Sequence, residues 1–116
     1  MKNGCIEKSD GSKEWFLNDK RHREDGPAIQ YANGTKYWYI NGERHRKDGP
    51  AVQWANGYKA WFINGELHRE DGPALECANG TKEWYLDNVE YTEHDYWKVL
   101  YKLGKVTQEE LVLELL

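Results

Sequence analysis

Ala32-Asn33-Gly34-Thr35-Lys36-Tyr37-Trp38-Tyr39-Ile40-Asn41-Gly42-Glu43-Arg44-His45-Arg46-Lys47-Asp48-Gly49-Pro50-Ala51-Val52-Gln53-Trp54 is one period of a repeat. The block before it, Ser9 to Tyr31, and the block after it, Ala55 to Cys77, fit the same 23-residue template without a gap, and Ala78 to Tyr91 begins a fourth. A fixed period of this length marks stacked supersecondary units, each too small to bury its own apolar face and stable only against its neighbours. Asn-Gly pairs punctuate every block, and both residues tolerate positive φ, so each pair signals a hairpin turn. Thr35 to Ile40, Tyr58 to Ile63 and Thr81 to Leu86 read as strands, and Ala28 to Tyr31, Ala51 to Trp54 and Ala74 to Cys77 as their partners.

Period-two alternation sends Lys36, Trp38 and Ile40 to one face and Tyr37 and Tyr39 to the other. Trp15, Trp38, Trp61 and Trp84 then form a ladder, expected to be core, with Ile6, Ile29, Val52 and Leu75 as an aliphatic row beneath it. The Asp-Gly-Pro-Ala segments read as rigid turns, because Pro fixes φ and lacks a donor, so a strand can begin there but not pass through. The fold class expected is mainly β: antiparallel hairpins in an elongated single-layer sheet over residues 1–91, with a helical cap and tail over 92–116. In the tail, Thr92 opens a helix that runs to Leu103 and turns Trp97, Leu100, Tyr101 and Leu103 to one side. Thr107 opens a second, whose Leu111, Leu113, Leu115 and Leu116 need a partner surface and are assigned to a homodimer.

At 116 residues and a net charge of -4, shared evenly between array and tail, the chain lacks the concentrated basic face that nucleic-acid binding requires. It has no apolar run long enough to span a bilayer and no apolar leader after Met1, and a cytoplasmic location is expected. Cys5 and Cys77 fall on different repeat columns, on the order of 30 Å apart along the array, so no internal disulfide is expected. No nucleophile constellation and no Gly-rich phosphate loop appear, so neither an enzyme nor a cofactor is expected.

These residues resemble the MORN repeat, also 23 residues long. Tyr31-Ala32-Asn33-Gly34-Thr35-Lys36-Tyr37, followed by Asn41-Gly42-Glu43-Arg44-His45, is similar to its pattern over roughly residues 5–91. The family's His-Gly-x-Gly is replaced here by His22-Arg23-Glu24-Asp25-Gly26-Pro27 and its repeats. The resemblance implies a scaffold that grips another protein, often a helix laid along the sheet; lipid binding has been proposed for some members. The His-Arg-x-Asp-Gly-Pro-Ala variant also resembles proteins of large DNA viruses and phages, which implies an accessory factor acting on a host defence protein in the host cytoplasm.

Two sets of residues are candidate sites. His22, His45 and His68, each followed by Arg23, Arg46 or Arg69, recur about 10 Å apart, too far for one metal, so no metal site is expected. They either bond the Asp25, Asp48 and Asp71 turns or form a ladder that holds a nucleotide or other small anion. The second set lies in columns that vary within a repeating frame: Glu14, Tyr37, Ala60 and Glu83 in one, and Lys8, Tyr31, Trp54 and Cys77 in the other. Tyr31, Tyr37 and Trp54, with Tyr39 and Phe62, are the expected contact surface for a protein partner.

Overall fold

The structure, a computed structural model, describes all residues from Met1 to Leu116. The first unit is β1 (Gly4–Glu7), β2 (Lys13–Leu17) and β3 (Lys20–Arg21). The second is β4 (Ile29–Gln30), β5 (Lys36–Tyr37), β6 (Tyr39–Ile40) and β7 (Glu43–Arg44). The third is β8 (Val52–Gln53), β9 (Lys59–Ala60), β10 (Phe62–Ile63) and β11 (Glu66–Leu67). The fourth is β12 (Leu75–Glu76), β13 (Lys82–Leu86) and β14 (Val89–Tyr91), followed by α1 (Glu93–Lys102) and α2 (Gln108–Leu115). One large open antiparallel sheet runs β1-β2-β4-β5-β8-β9-β12-β13-β14, and the molecule is elongated, 51 × 30 × 20 Å. No helix is long and apolar enough to cross a membrane.

The strand expected over Thr35 to Ile40 is broken at Trp38, and the one over Tyr58 to Ile63 at Trp61. The reason is a change of hydrogen-bonding partner: Trp38 N donates to Ala51 O, while Trp38 O accepts from His45 N. Up to the tryptophan the chain belongs to the main sheet; beyond it, β6 pairs only with β7 in a side hairpin closed by Asn41 and Gly42, both at positive φ. That is a two-residue turn of the kind Asn-Gly favours. The other Asn-Gly behaves differently. Tyr31 and Thr35 flank a three-residue loop, with Gly34 at φ 96° and the Asn33 side chain accepting from Thr35 N.

That extra residue sets the register, and it overturns the expected aliphatic row. Ile29 lies opposite Tyr37, Val52 opposite Tyr37 and Ala60, and Leu75 opposite Ala60 and Glu83. Directly paired residues of an antiparallel ladder share a face. The aliphatics therefore lie on the tyrosine face, and it is Ala28, Ala51 and Ala74, all fully buried, that the register places opposite Trp38, Trp61 and Trp84. A small residue leaves room there for the indole.

At the C-terminal end a second cluster forms from Leu86, Tyr96, Trp97 and Leu100, with Trp84, Tyr91, Val99, Val106, Leu111 and Leu115 against it. Thr92 caps α1 through its hydroxyl, which accepts from Asp95 N at 3.2 Å, and Gly104 at φ 74° follows the last turn. The buried face is Tyr96, Trp97 and Leu100; Tyr101 and Leu103, expected on that face, are exposed. Alpha-2 opens on a full capping box between Thr107 and Glu110. It sets Leu111 and Leu115 against the cluster of its own chain, and leaves Val112, Leu113 and Leu116 in solvent.

Candidate functional site

Two faces carry the candidate residues, and they differ in how completely their polar groups are used. On the tryptophan face, Arg23, Arg46 and Arg69 each lie over the tryptophan of their own block, with the guanidinium carbon 3.9 Å from the ring centroid of Trp15, Trp38 and Trp61. Gly26, Gly49 and Gly72 press on the other side: a Cβ there would come within 2.8 to 2.9 Å of the guanidinium carbon. The edges are bonded as well. Nε donates to Asp25, Asp48 and Asp71 at 3.0, 3.2 and 2.8 Å, and Nη1 to the carbonyls of Pro27, Pro50 and Pro73. The Arg-x-Asp-Gly-Pro motif is thus a cation held between an indole and a glycine, with its donors directed into the turn.

The arginines meet the Asp turns as expected, but the histidines do not. His22, His45 and His68 accept through Nδ1 from the backbone N–H of Asn41, Asn64 and Asp87 in the following block, at 2.9 to 3.0 Å. With Nδ1 as acceptor, Nε2 of His22 and His45 carries the proton. His68 Nε2 meets Glu70 at 2.8 Å, and its Nδ1 also lies 3.1 Å from Asp87 Oδ1. The histidine spacing follows from a splint between consecutive hairpins, reinforced where Arg46 N donates to Phe62 O and Gly65 N to Arg44 O. No three His, Cys, Asp or Glu side chains converge as metal ligands would. Of each stacked arginine, Nη2 is the nitrogen left for an outside anion; Arg69 Nη1 also donates to Glu76 at 2.9 Å, which sets a carboxylate beside that arginine.

On the opposite face the two variable columns meet. In the first unit they hold an ion pair, Lys8 with Glu14 at 3.5 Å, to which Arg21 adds at 3.4 Å. In the second they hold Tyr31 and Tyr37, edge to face with centroids 6.0 Å apart. Trp54 Nε1 donates to the Tyr37 hydroxyl at 3.0 Å, and its ring lies 4.5 Å from that of Tyr58. Arg44 spans Tyr37 and Phe62, at 5.7 and 5.4 Å, and Arg21 faces Tyr39 at 6.0 Å. Tyr31, Tyr37, Trp54, Tyr39 and Phe62 thus belong to one surface. Trp54 and Tyr31 keep 45% and 42% of their area in water, around a shallow hollow of about 560 Å³.

Two residues of this surface escaped the sequence reading. Tyr58 occupies a column otherwise filled by Ser12, Thr35 and Thr81, and Arg44 one that reads Arg21, Leu67 and Glu90. Tyr58 breaks an otherwise hydroxyl-bearing column, and Arg44 stands in a column that varies from block to block, as do those of Tyr31 and Trp54. Partial burial pushes the Tyr58 hydroxyl above its ordinary range, with Cys77 and Glu83 nearby adding to the effect. The Tyr85 hydroxyl is raised for the same first reason, and donates to Glu83 at 3.2 Å. Both cysteines are free thiols. No protein-family model matches the chain, and no curated protein matches it.

Proposed function

We propose that the chain is a non-catalytic, MORN-like binding module that grips a protein partner through the face of Tyr31, Tyr37 and Trp54, bordered by Tyr39 and Phe62. One observation carries this reading: Trp54 and Tyr31 stand nearly half in water while fixed in place through Tyr37. Tyr, Trp and Arg are enriched in binding hot spots, the two aromatics because they bury large area at small entropic cost, and Arg44, held over Tyr37 and Phe62, supplies the third member. In the finer form of the proposal the module is a viral or phage accessory factor and the partner a host defence protein. The rival, a nucleotide or anion held by Arg23, Arg46 and Arg69, has less to work with, since Nε and Nη1 of each already bond the turn.

The test compares the intact chain with Tyr31→Ala/Trp54→Ala as baits for host lysate, after circular dichroism shows both folded. A protein held by the intact chain and released by the double variant supports the proposal; equal capture by both removes it. In parallel, a ligand at a hundred times its dissociation constant adds about 2.7 kcal/mol of stability, so a nucleotide that raises the melting point would move the function to the arginine ladder.

A further inference from the structure

The tryptophan face carries three successive grooves, related by the repeat, and only one is filled. The first lies between the Arg23–Gly26 turn and the His45–Asp48 turn, floored by Trp38 and Ile40, and encloses about 720 Å³. The second, one period on, lies between Arg46–Gly49 and His68–Asp71, floored by Trp61 and Ile63, at about 700 Å³. The third begins at Arg69–Gly72 and is floored by Trp84 and Leu86, and there α1 is seated. Its Tyr96 hydroxyl donates to Arg69 O and accepts from Gly72 N, while Leu100 joins Leu86 in the buried cluster.

In the open grooves the groups that Tyr96 serves have no partner in the chain. Arg23 O and Arg46 O accept no hydrogen bond, and Gly26 N and Gly49 N donate none. Gly72 is buried beneath the helix, whereas Gly26 and Gly49 are half-exposed. The floors differ in one respect: Arg46 covers Trp38 and Arg69 covers Trp61, but the position one period on is Thr92, so Tyr96 and Trp97 stack on Trp84 instead. An occupant of an open groove therefore needs the tyrosine and the leucine but not the neighbouring indole.

We infer that the two open grooves are docking sites for an amphipathic helix of a partner protein, presenting a tyrosine and, four residues later, a leucine, in the manner of Tyr96 and Leu100. The tyrosine hydroxyl satisfies the turn carbonyl and glycine N–H, and the leucine lies on Ile40 or Ile63. The charge beside the turn separates the two sites. Lys105, following α1, meets Glu70 at 3.8 Å. The equivalent residue is Glu24 in the first groove and Lys47 in the second, so a basic residue after the helix favours the first and an acidic one the second. This surface is separate from the aromatic face that holds Trp54.

The test uses the full chain and a synthetic peptide of Thr92 to Lys105 with Trp97 replaced by alanine, followed by the backbone amide signals of the protein. Saturating shifts at Gly26 and Gly49 are expected, with Gly26 responding at about twofold to threefold lower peptide concentration. Tyr96→Phe in the peptide should weaken binding about fivefold to tenfold, as for one lost hydrogen bond. Lys105→Glu in the peptide should reverse the order of the two glycines. Shifts confined to Gly72, shifts on the Tyr31 and Trp54 face, no shift at millimolar peptide, or equal binding by the Phe peptide would each overturn the inference. Shifts at Gly26 and Gly49 on raising the protein concentration alone would also overturn it, by giving the grooves to a second copy.

Discussion

Arg46 lies over Trp38, its guanidinium carbon 3.9 Å from the ring centroid, and Gly49 approaches so closely that a Cβ there would sit 2.8 Å from that carbon. Gly49 is not at positive φ, so the need for glycine comes from the cation and not from the backbone. Arg46→Ala should cost about 2 kcal/mol through the lost stack and the unbonded turn. Gly49→Ala should cost about 1 to 3 kcal/mol by overpacking. With the guanidinium gone the methyl group has room, so the double variant should be less damaged than the sum of the two by 1 kcal/mol or more. Denaturant unfolding of the four proteins measures this; strict additivity would show that glycine is required for another reason.

Much of this arrangement was legible in the repeat, and the parts that were not have physical causes. Asn41-Gly42 and Asn33-Gly34 look alike in sequence, yet the first closes a two-residue turn and the second ends a three-residue loop. One residue of loop moves every side chain of the partner strand to the other face, which is why Ile29 lies with Tyr37 and, across the equivalent loop at Asn56-Gly57, Val52 with Ala60. The histidine bonds to Asn41 and Asn64 span neighbouring blocks, and no local pattern within one block discloses them. Tyr96 could have been found. It stands at the i, i+4 spacing from Leu100, whereas Tyr101, one residue beyond Leu100, turns to solvent.

The two faces should respond oppositely to truncation. Trp61 is half-buried, as are Trp15, Trp38 and Trp84, so the ladder expected as core is only partly enclosed. Trp61→Ala still removes the platform beneath Arg69 and the side chain opposite Ala51, in the middle of the array, and should cost about 3 kcal/mol. Trp54→Ala removes a ring nearly half in water and one hydrogen bond to Tyr37, and should cost about 1 kcal/mol. Thermal melts of both, set beside partner capture, check the assignment. A folded, stable Trp61→Ala protein that merely fails to bind would transfer the recognition surface to the tryptophan face.

Tyr96 makes the cap sensitive to alkali. It has no exposed surface, and burial is the first cause that raises its hydroxyl from 10.0 to about 12, with Asp71 and Glu70 adding to the rise against Gly72 N–H and Arg69. The folded state therefore holds the proton more tightly than the unfolded one. Its contribution is fully present below about pH 10, the unfolded value, and is lost as pH rises through about 12. Tyr96→Phe should be less stable at neutral pH by about 1 kcal/mol for the lost hydrogen bonds. Between pH 10 and 12 the gap between the two proteins should close, because the variant has no such proton to lose. A gap that stays constant across that range would mean the hydroxyl is not buried in this way.

The last helix divides its leucines between two tasks. Leu111 and Leu115 lie against the α1 cluster, whereas Val112, Leu113 and Leu116 face water, with Leu113 69% exposed. Ending the chain at Lys105 should therefore do more than alter assembly: it uncovers Val106's neighbours on α1 and should destabilise the cap by about 2 kcal/mol or more. Leu113→Glu/Leu116→Glu leaves the buried pair in place and should keep the melting point. We expect the intact chain to self-associate through this outer stripe, since apolar side chains gathered on one face of a helix gain from mutual burial. Light scattering on the intact chain and on the Glu variant decides it: dimer for the first and folded monomer for the second. A monomeric intact chain would leave the outer stripe to a different protein and confine Leu111 and Leu115 to stabilising the cap.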